Sequence, residues 1–155
     1  MKAKAIPDTH HGIISVLCID GCEKAMEFYK KAFGATTAEC MKGGDGKVMH
    51  AEVKIGTGLI MVNDPMPQWN VQPTKNAKLF FYVENVDAAV EKAVKAGCKI
   101  RHEVVDQFWG DRMGNVVDPF GIEWGIATHK EDLTPEQVKQ RGREWMEKMA
   151  AGAAK

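Results

Sequence analysis

The apolar pattern of this chain runs its course and then begins again, and that restart limits the fold to two similar modules in tandem. Residues 13–19 are apolar and partly β-branched, which predicts a strand. Asp20, with Glu23 three residues on, gives an acidic version of the capping box ahead of a helix over about 22–33. Ala25, Phe28, Tyr29, Ala32 and Phe33 recur at helical spacing and form one buried stripe. Gly34 supplies a left-handed cap. A strand follows around 36–41, then a turn at Gly43-Gly44-Asp45-Gly46. Over 47–55 the residues alternate. Met49, Ala51, Val53 and Ile55 point one way, while Val48, His50, Glu52 and Lys54 point the other. After Gly56-Thr57-Gly58 comes another apolar strand, 59–63, so the first unit reads βαβββ.

Residues 65–76, rich in Pro, Gln and Asn, form a linker. The second unit then repeats the order. A strand at 78–84 leads to Asn85, which caps a helix over about 86–96 ended by Gly97. Strands at 99–105, 110–117 and 123–128 follow, the last two joined by the turn Asp118-Pro119-Phe120-Gly121. Aligning the halves sets Ala25 on Ala89, Met26 on Val90 and Ala32 on Ala96, and with the shared element order and the two glycine caps this favours an internal duplication over two unrelated α+β units. The modules cover about 13–64 and 77–129 of a single domain spanning 1–155. Thr134-Pro135-Glu136-Gln137 begins a separate helix over about 134–149, with Val138, Trp145, Met146 and Met149 as its apolar stripe and a frayed end beyond.

Lys and Arg total 21 and Asp and Glu total 21, and this balance, without a basic cluster, argues against a nucleic-acid partner. No apolar run is long enough for a membrane span, and the N-terminus lacks the apolar core of a signal peptide. The four cysteines, Cys18, Cys22, Cys40 and Cys98, are scattered. They read as thiols of a reducing compartment, so a cytoplasmic location is expected. There is no nucleophile elbow, no phosphate loop and no His-Glu-x-x-His. His10 and His11 fall in an N-terminal arm with no expected role, and His102 and His129 fall at strand ends with no evident partners.

Several stretches carry a family resemblance. Glu27-Phe28-Tyr29-Lys30-Lys31-Ala32-Phe33-Gly34-Ala35 resembles the first helix of the vicinal oxygen chelate superfamily, the glyoxalase and bleomycin-resistance group. Asp118-Pro119-Phe120-Gly121-Ile122-Glu123-Trp124 is similar to its final hairpin. Phe108-Trp109-Gly110-Asp111-Arg112 and Ile126-Ala127-Thr128-His129 are similar to its PhnB-like branch. The resemblance covers about residues 12–135. It implies an α+β fold in which paired βαβββ modules form an incomplete barrel around a cleft, helices outside, here with the added C-terminal helix. It also implies a homodimer.

Metal-dependent members carry His, Glu or Gln at four cleft positions. By the resemblance these fall on Ile14, on Ile60 or Met61, on Lys78 and on Gly125. None offers a suitable donor, so no metal of the family type and no cofactor are expected. His50 and Glu52 remain as candidate catalytic residues. They lie two apart on one strand face, where a carboxylate or imidazole from a neighbouring strand could join them, but two donors alone fall short of a coordination set.

The same register turns Ile14, Val16, Cys18, Phe80, Tyr82 and Glu123 toward the cleft. This apolar and aromatic wall suits a small organic molecule, or else simply fills a collapsed cleft. Trp109 and Arg112 form either a ligand rim, with a stacking surface and an anion fork, or a structural element. In the structural case Asp111 pairs with Arg112 or nearby backbone. Trp69 in the linker is either a flap or packed on the body. Three readings follow. The first is metal-independent binding of a small apolar or aromatic molecule. The second is a glyoxalase-type lyase or isomerase using His50 and Glu52, with or without a divalent metal outside the family positions. The third is a dimeric interaction module without a ligand.

Overall fold

The computed structural model describes residues 4–10 and 12–153. The elements in chain order are β1 (Ser15–Cys18), α1 (Cys22–Phe33), β2 (Thr36–Lys42), β3 (Val48–Ile55) and β4 (Gly58–Asn63). They continue as β5 (Lys78–Tyr82), α2 (Val86–Ala96), β6 (Lys99–Asp106), β7 (Asp111–Val117), β8 (Glu123–His129) and α3 (Pro135–Ala153). A 3₁₀ turn, Pro67–Trp69, interrupts the linker. The strands form two four-stranded mixed sheets, ordered β1-β4-β3-β2 and β5-β8-β7-β6, and no closed barrel. In each, the first strand pairs parallel with the fourth and the rest pair antiparallel.

One face of each sheet meets the helices. Leu17, Ala51, Val53 and Val62 of the first sheet share a buried core with Tyr29 and Ala32 of α1, Val90 and Ala93 of α2, and Val116, Trp124 and Ile126 of the second sheet. α1 joins the modules. Phe33 lies 4.7 Å from Trp124 and 5.6 Å from Phe81, centroid to centroid, and the Tyr29 hydroxyl donates to the Asp118 carboxylate at 2.9 Å. The same carboxyl group accepts from the Trp124 indole and from the backbone N–H groups of Phe120 and Ile122. The Asp118-Pro119-Phe120-Gly121 turn is therefore also the inter-module anchor.

The duplication is visible in how the helices begin. Equivalent intervals separate Cys18 from Tyr82, Cys22 from Val86 and Asn63 from Ala127. In the first module the buried Asp64, just past β4, accepts from the N–H groups of Gly21 and Cys22. In the second, Thr128 stands in the matching place and its hydroxyl accepts from Val86 N–H. Asp20 makes no capping bond. The expected acidic box at α1 is replaced by this cap from across the sheet, since Gly21 occupies the N-cap with φ 77° and has no side chain to offer. Asn85 does cap α2, accepting from Ala88 N–H at 3.0 Å, and Gly34 ends α1 in the left-handed region. Thr134 and Gln137 form the expected reciprocal capping box of α3. That helix extends to Ala153, beyond the predicted end. The Phe108 ring packs on Gly142 and Trp145, while Met146 and Met149 stay exposed.

The expected alternation over 47–55 fails at one end. An irregularity between Met41 and Lys42 pairs them with His50 and Val48, so Met49 is extra and Val48 turns into the core. From His50 onward the pattern holds. Ala51, Val53 and Ile55 are buried, and His50, Glu52 and Lys54 lie on the face away from the helices.

Candidate functional site

The face of each sheet that the helices leave open is set by register. Across the first sheet, Val16 pairs with Met61, Met61 with Glu52, and Glu52 with Glu39. Across the second, Phe80 pairs with Gly125, Gly125 with Asn115, and Asn115 with His102. Lys78 and Glu123 flank that row on one side, and Tyr82 with Ala127 on the other.

On the first sheet His50 and Glu52 come together with Glu39. One ligand atom from each lies within 4.8 Å of the others. Glu39 reaches this place because of a second irregularity, between Thr37 and Glu39, which leaves Ala38 unpaired and sets Glu39 opposite Glu52. Nothing in the spacing of β2 announces it. His10, for which no role was expected, points Nε2 at the Glu52 carboxylate at 2.8 Å, with its Nδ1 2.9 Å from the Thr9 hydroxyl. His11 lies outside the described residues.

On the second sheet Phe80 and Tyr82 are exposed, with ring centroids 5.2 Å apart and edge to face. The Phe80 ring lies on Gly125, where a Cβ would come within 2.6 Å of it. An apolar crevice of about 180 Å³ runs beside it between β4 and β5, lined by Leu59, Ile60, Leu79, Phe80 and Trp124. Val16 is exposed on β1, Cys18 is buried, and Ile14 lies half-buried just before that strand. Glu123 is held by Lys78 at 3.0 Å and by the Asn115 amide at 2.9 Å. These contacts, the Lys78 ammonium first, hold its carboxyl below the usual range despite some desolvation.

The Phe108–Arg112 stretch is organised by Asp111, whose buried carboxylate accepts from the Tyr82 hydroxyl, the Trp109 indole and the His129 ring. Burial pushes the Asp111 carboxyl up, but these hydrogen bonds outweigh it and leave the group below its ordinary value. Asp111 therefore does not pair with Arg112. The Arg112 fork is committed to Asp87, through two bonds of 2.8 Å, and to Asp106 at 3.2 Å. His129, expected to lack partners, has two in Asp111 and Asp132. His102 lies within β6 opposite Asn115, not at a strand end. Trp69 lines a groove of about 250 Å³ with Gly43, Met49 and Pro67.

The residues that the resemblance sets at the four metal positions do not fit an ion. Ile14 and the Ile60 or Met61 position carry no hard donor, and Lys78 is paired with Glu123. At position 125 a donor side chain would displace Phe80.

Fold and site together define a paired βαβββ protein with Glu39, His50 and Glu52 on the open face of one sheet and Phe80 and Tyr82 on that of the other. The chain belongs to the glyoxalase/bleomycin resistance protein/dioxygenase superfamily, whose family model matches residues 12–126. Uncharacterized proteins of Mycobacterium bovis and Mycobacterium tuberculosis are each 33% identical to it over 131 residues. The matches cover 79% of this chain and 86% and 77% of theirs. Among solved structures, a protein of Pseudomonas aeruginosa shares the fold with a TM-score of 0.65 at 23% identity, covering 79% of this chain and 100% of its own. A PhnB protein of Bacillus cereus does so with a TM-score of 0.61 at 18% identity, covering 76% and 99%.

Proposed function

We propose that this protein binds a small apolar or aromatic molecule on the open faces of its sheets, without a metal at the family positions. The observation that carries the reading is the exposed Phe80–Tyr82 pair beside the apolar crevice between β4 and β5. Two large rings left in water are costly unless something covers them, and paired rings offer a flat guest both a face and an edge. Val16 extends the apolar surface on β1, and Glu123 supplies a carboxylate at its border.

The crevice is smaller than the roughly 300 Å³ typical of a complete ligand pocket. A second copy of the chain, as in a homodimer, completes the cleft in this reading. Its support is the exposure of the edge strands β2 and β6, which leave Met41, Ile100 and Val105 in solvent. Trp109 and Arg112 act as supports in this assignment, since their donors are already committed. A cytoplasmic setting fits four free thiols, of which burial pushes Cys22 and Cys98 up to about 12. No helix among the described residues is long and apolar enough to cross a membrane.

The test is thermal stabilisation by a panel of planar aromatic compounds, with Phe80→Ala and Tyr82→Phe as comparisons. Stabilisation lost in Phe80→Ala supports the assignment. Stabilisation unchanged in that variant contradicts it.

A second reading, a glyoxalase-type lyase or isomerase in which His50 and Glu52 move a proton, draws support from the half-buried placement of both and from the His10 contact to Glu52. A lyase assay in which His50→Ala retains full activity would exclude it.

A further inference from the structure

We propose that Glu39, His50 and Glu52 form a binding site for one divalent first-row transition-metal ion, with His10 as a positioning residue on Glu52. The site lies on β2 and β3, one strand over from the Ile60 or Met61 position, since Glu52 pairs with Met61, and it does not depend on the aromatic ligand of the preceding section.

The first ground is geometry. One imidazole and two carboxylates already place a ligand atom each within 4.8 Å of one another. Bonds of about 2.0–2.2 Å to a shared tetrahedral ion set ligand atoms roughly 3.3–3.6 Å apart, so the outermost pair has to close by up to about 1.5 Å. His50 and Glu52 are two apart on a strand, which aims both at one face, and Glu39 joins them from the adjacent strand.

The second ground is electrostatic. Like charges placed directly opposite on neighbouring strands repel. Glu39 and Glu52 are so placed, and among the described residues no lysine or arginine forms an ion pair with either. The fold does not require this arrangement. The same irregularity recurs in the second module between Ile100 and His102, and there it sets His102 opposite the neutral Asn115. The first module thus concentrates negative charge where its duplicate does not, and a divalent cation held by both carboxylates would offset the repulsion beyond what the His10 contact to Glu52 does.

The third ground is the support of Glu52. The His10 ring holds Oε1 at 2.8 Å and is itself oriented by Thr9. Carboxylate ligands in metal centres are commonly fixed by such an outer partner. A mixed nitrogen and oxygen set with few ligands suits zinc or manganese. Calcium, which takes six to eight oxygens, fits poorly.

The test is titration of the full chain with zinc by calorimetry, in a Cys40→Ser background that removes the exposed thiol, with melting curves run in parallel. The expected result is one zinc per chain and a rise in melting temperature. Calcium at the same concentration is expected to give none. Glu39→Gln, at an exposed position that leaves the fold intact, is expected to raise the metal-free melting temperature and to weaken zinc binding at least tenfold. His50→Ala is expected to abolish binding, and His10→Ala to weaken it while keeping the stoichiometry. Absence of zinc binding, its loss on Cys40→Ser alone, or equal affinity in Glu39→Gln would overturn the proposal.

Discussion

Glu39 stands directly opposite Glu52 across the β2–β3 pair, and it does so because Ala38 is left without a partner in the ladder. Without that extra residue Glu39 would meet Ala51, on the buried face. The bulge therefore turns an acidic side chain out of the core and onto its like-charged neighbour. Relieving the repulsion with Glu39→Gln should stabilise the metal-free protein by about 0.2–1 kcal/mol, the range of cross-strand charge pairs. Urea unfolding in the presence of a chelator measures this. A destabilised variant would mean that the two carboxylates are not in conflict.

Asp64 carries more of the fold than its place at a strand end suggests. Its carboxylate accepts from three backbone N–H groups, those of Gly21, Cys22 and Val48, two of them fully buried contacts. Each buried donor left unpaired costs about 1–3 kcal/mol. Asp64→Ala should therefore lose several kcal/mol, and Thr128→Val, which strips one acceptor from the matching place in the second module, about 1–2 kcal/mol. Denaturant unfolding of both variants gives the ordering, and equal losses would contradict it.

The Asp111–His129 pair makes stability depend on pH at both ends. Asp111 has a lowered folded value, so its contribution is present above the ordinary 3.8 and fades as pH falls through the folded value. His129 is raised above 6.5, by the Asp111 bond first and then by Asp132. Its contribution is complete below 6.5 and is lost as pH rises through the folded value. Melting temperature should thus decline on the alkaline side in the wild type and decline less in His129→Gln. Parallel curves for the two proteins would show that the pair does not form in solution.

Gly110 is held at φ 97°, and a Cβ built there would lie 2.5 Å from the Glu131 carbonyl oxygen. That carbonyl is backbone, and Gly110 itself accepts from Lys130 and Glu131 N–H, so the approach cannot relax cheaply. Gly110→Ala should cost about 3 kcal/mol or more and loosen the Asp111 network beside it. A near-neutral result in thermal unfolding would show that the loop can rearrange.

The fold was legible because its signals are local. The stripe of Ala25, Tyr29 and Ala32, the glycine at position 34 and the Thr134–Gln137 box each act within a few residues, and each appears where the spacing places it. The site was only half legible for the opposite reason. His50 and Glu52 share a strand and could be paired by counting, but Glu39 depends on an irregularity that alternation cannot reveal. His10 reaches Glu52, and Asp64 reaches Cys22, across 42 residues, through tertiary packing with no local pattern. The Asp111 hub escaped because its neighbour in sequence, Arg112, suggested a pairing that Asp87 and Asp106 take instead.

The ligand-binding proposal turns on Phe80 and Tyr82, and backbone amide NMR of the labelled protein titrated with quinoline- and indole-type compounds tests it most directly. The expected result is a set of saturable shifts centred on Val16, Phe80, Tyr82 and Gly125, removed by Phe80→Ala. Shifts confined to the groove around Trp69, or no saturable shift on the open face with any compound, would contradict it.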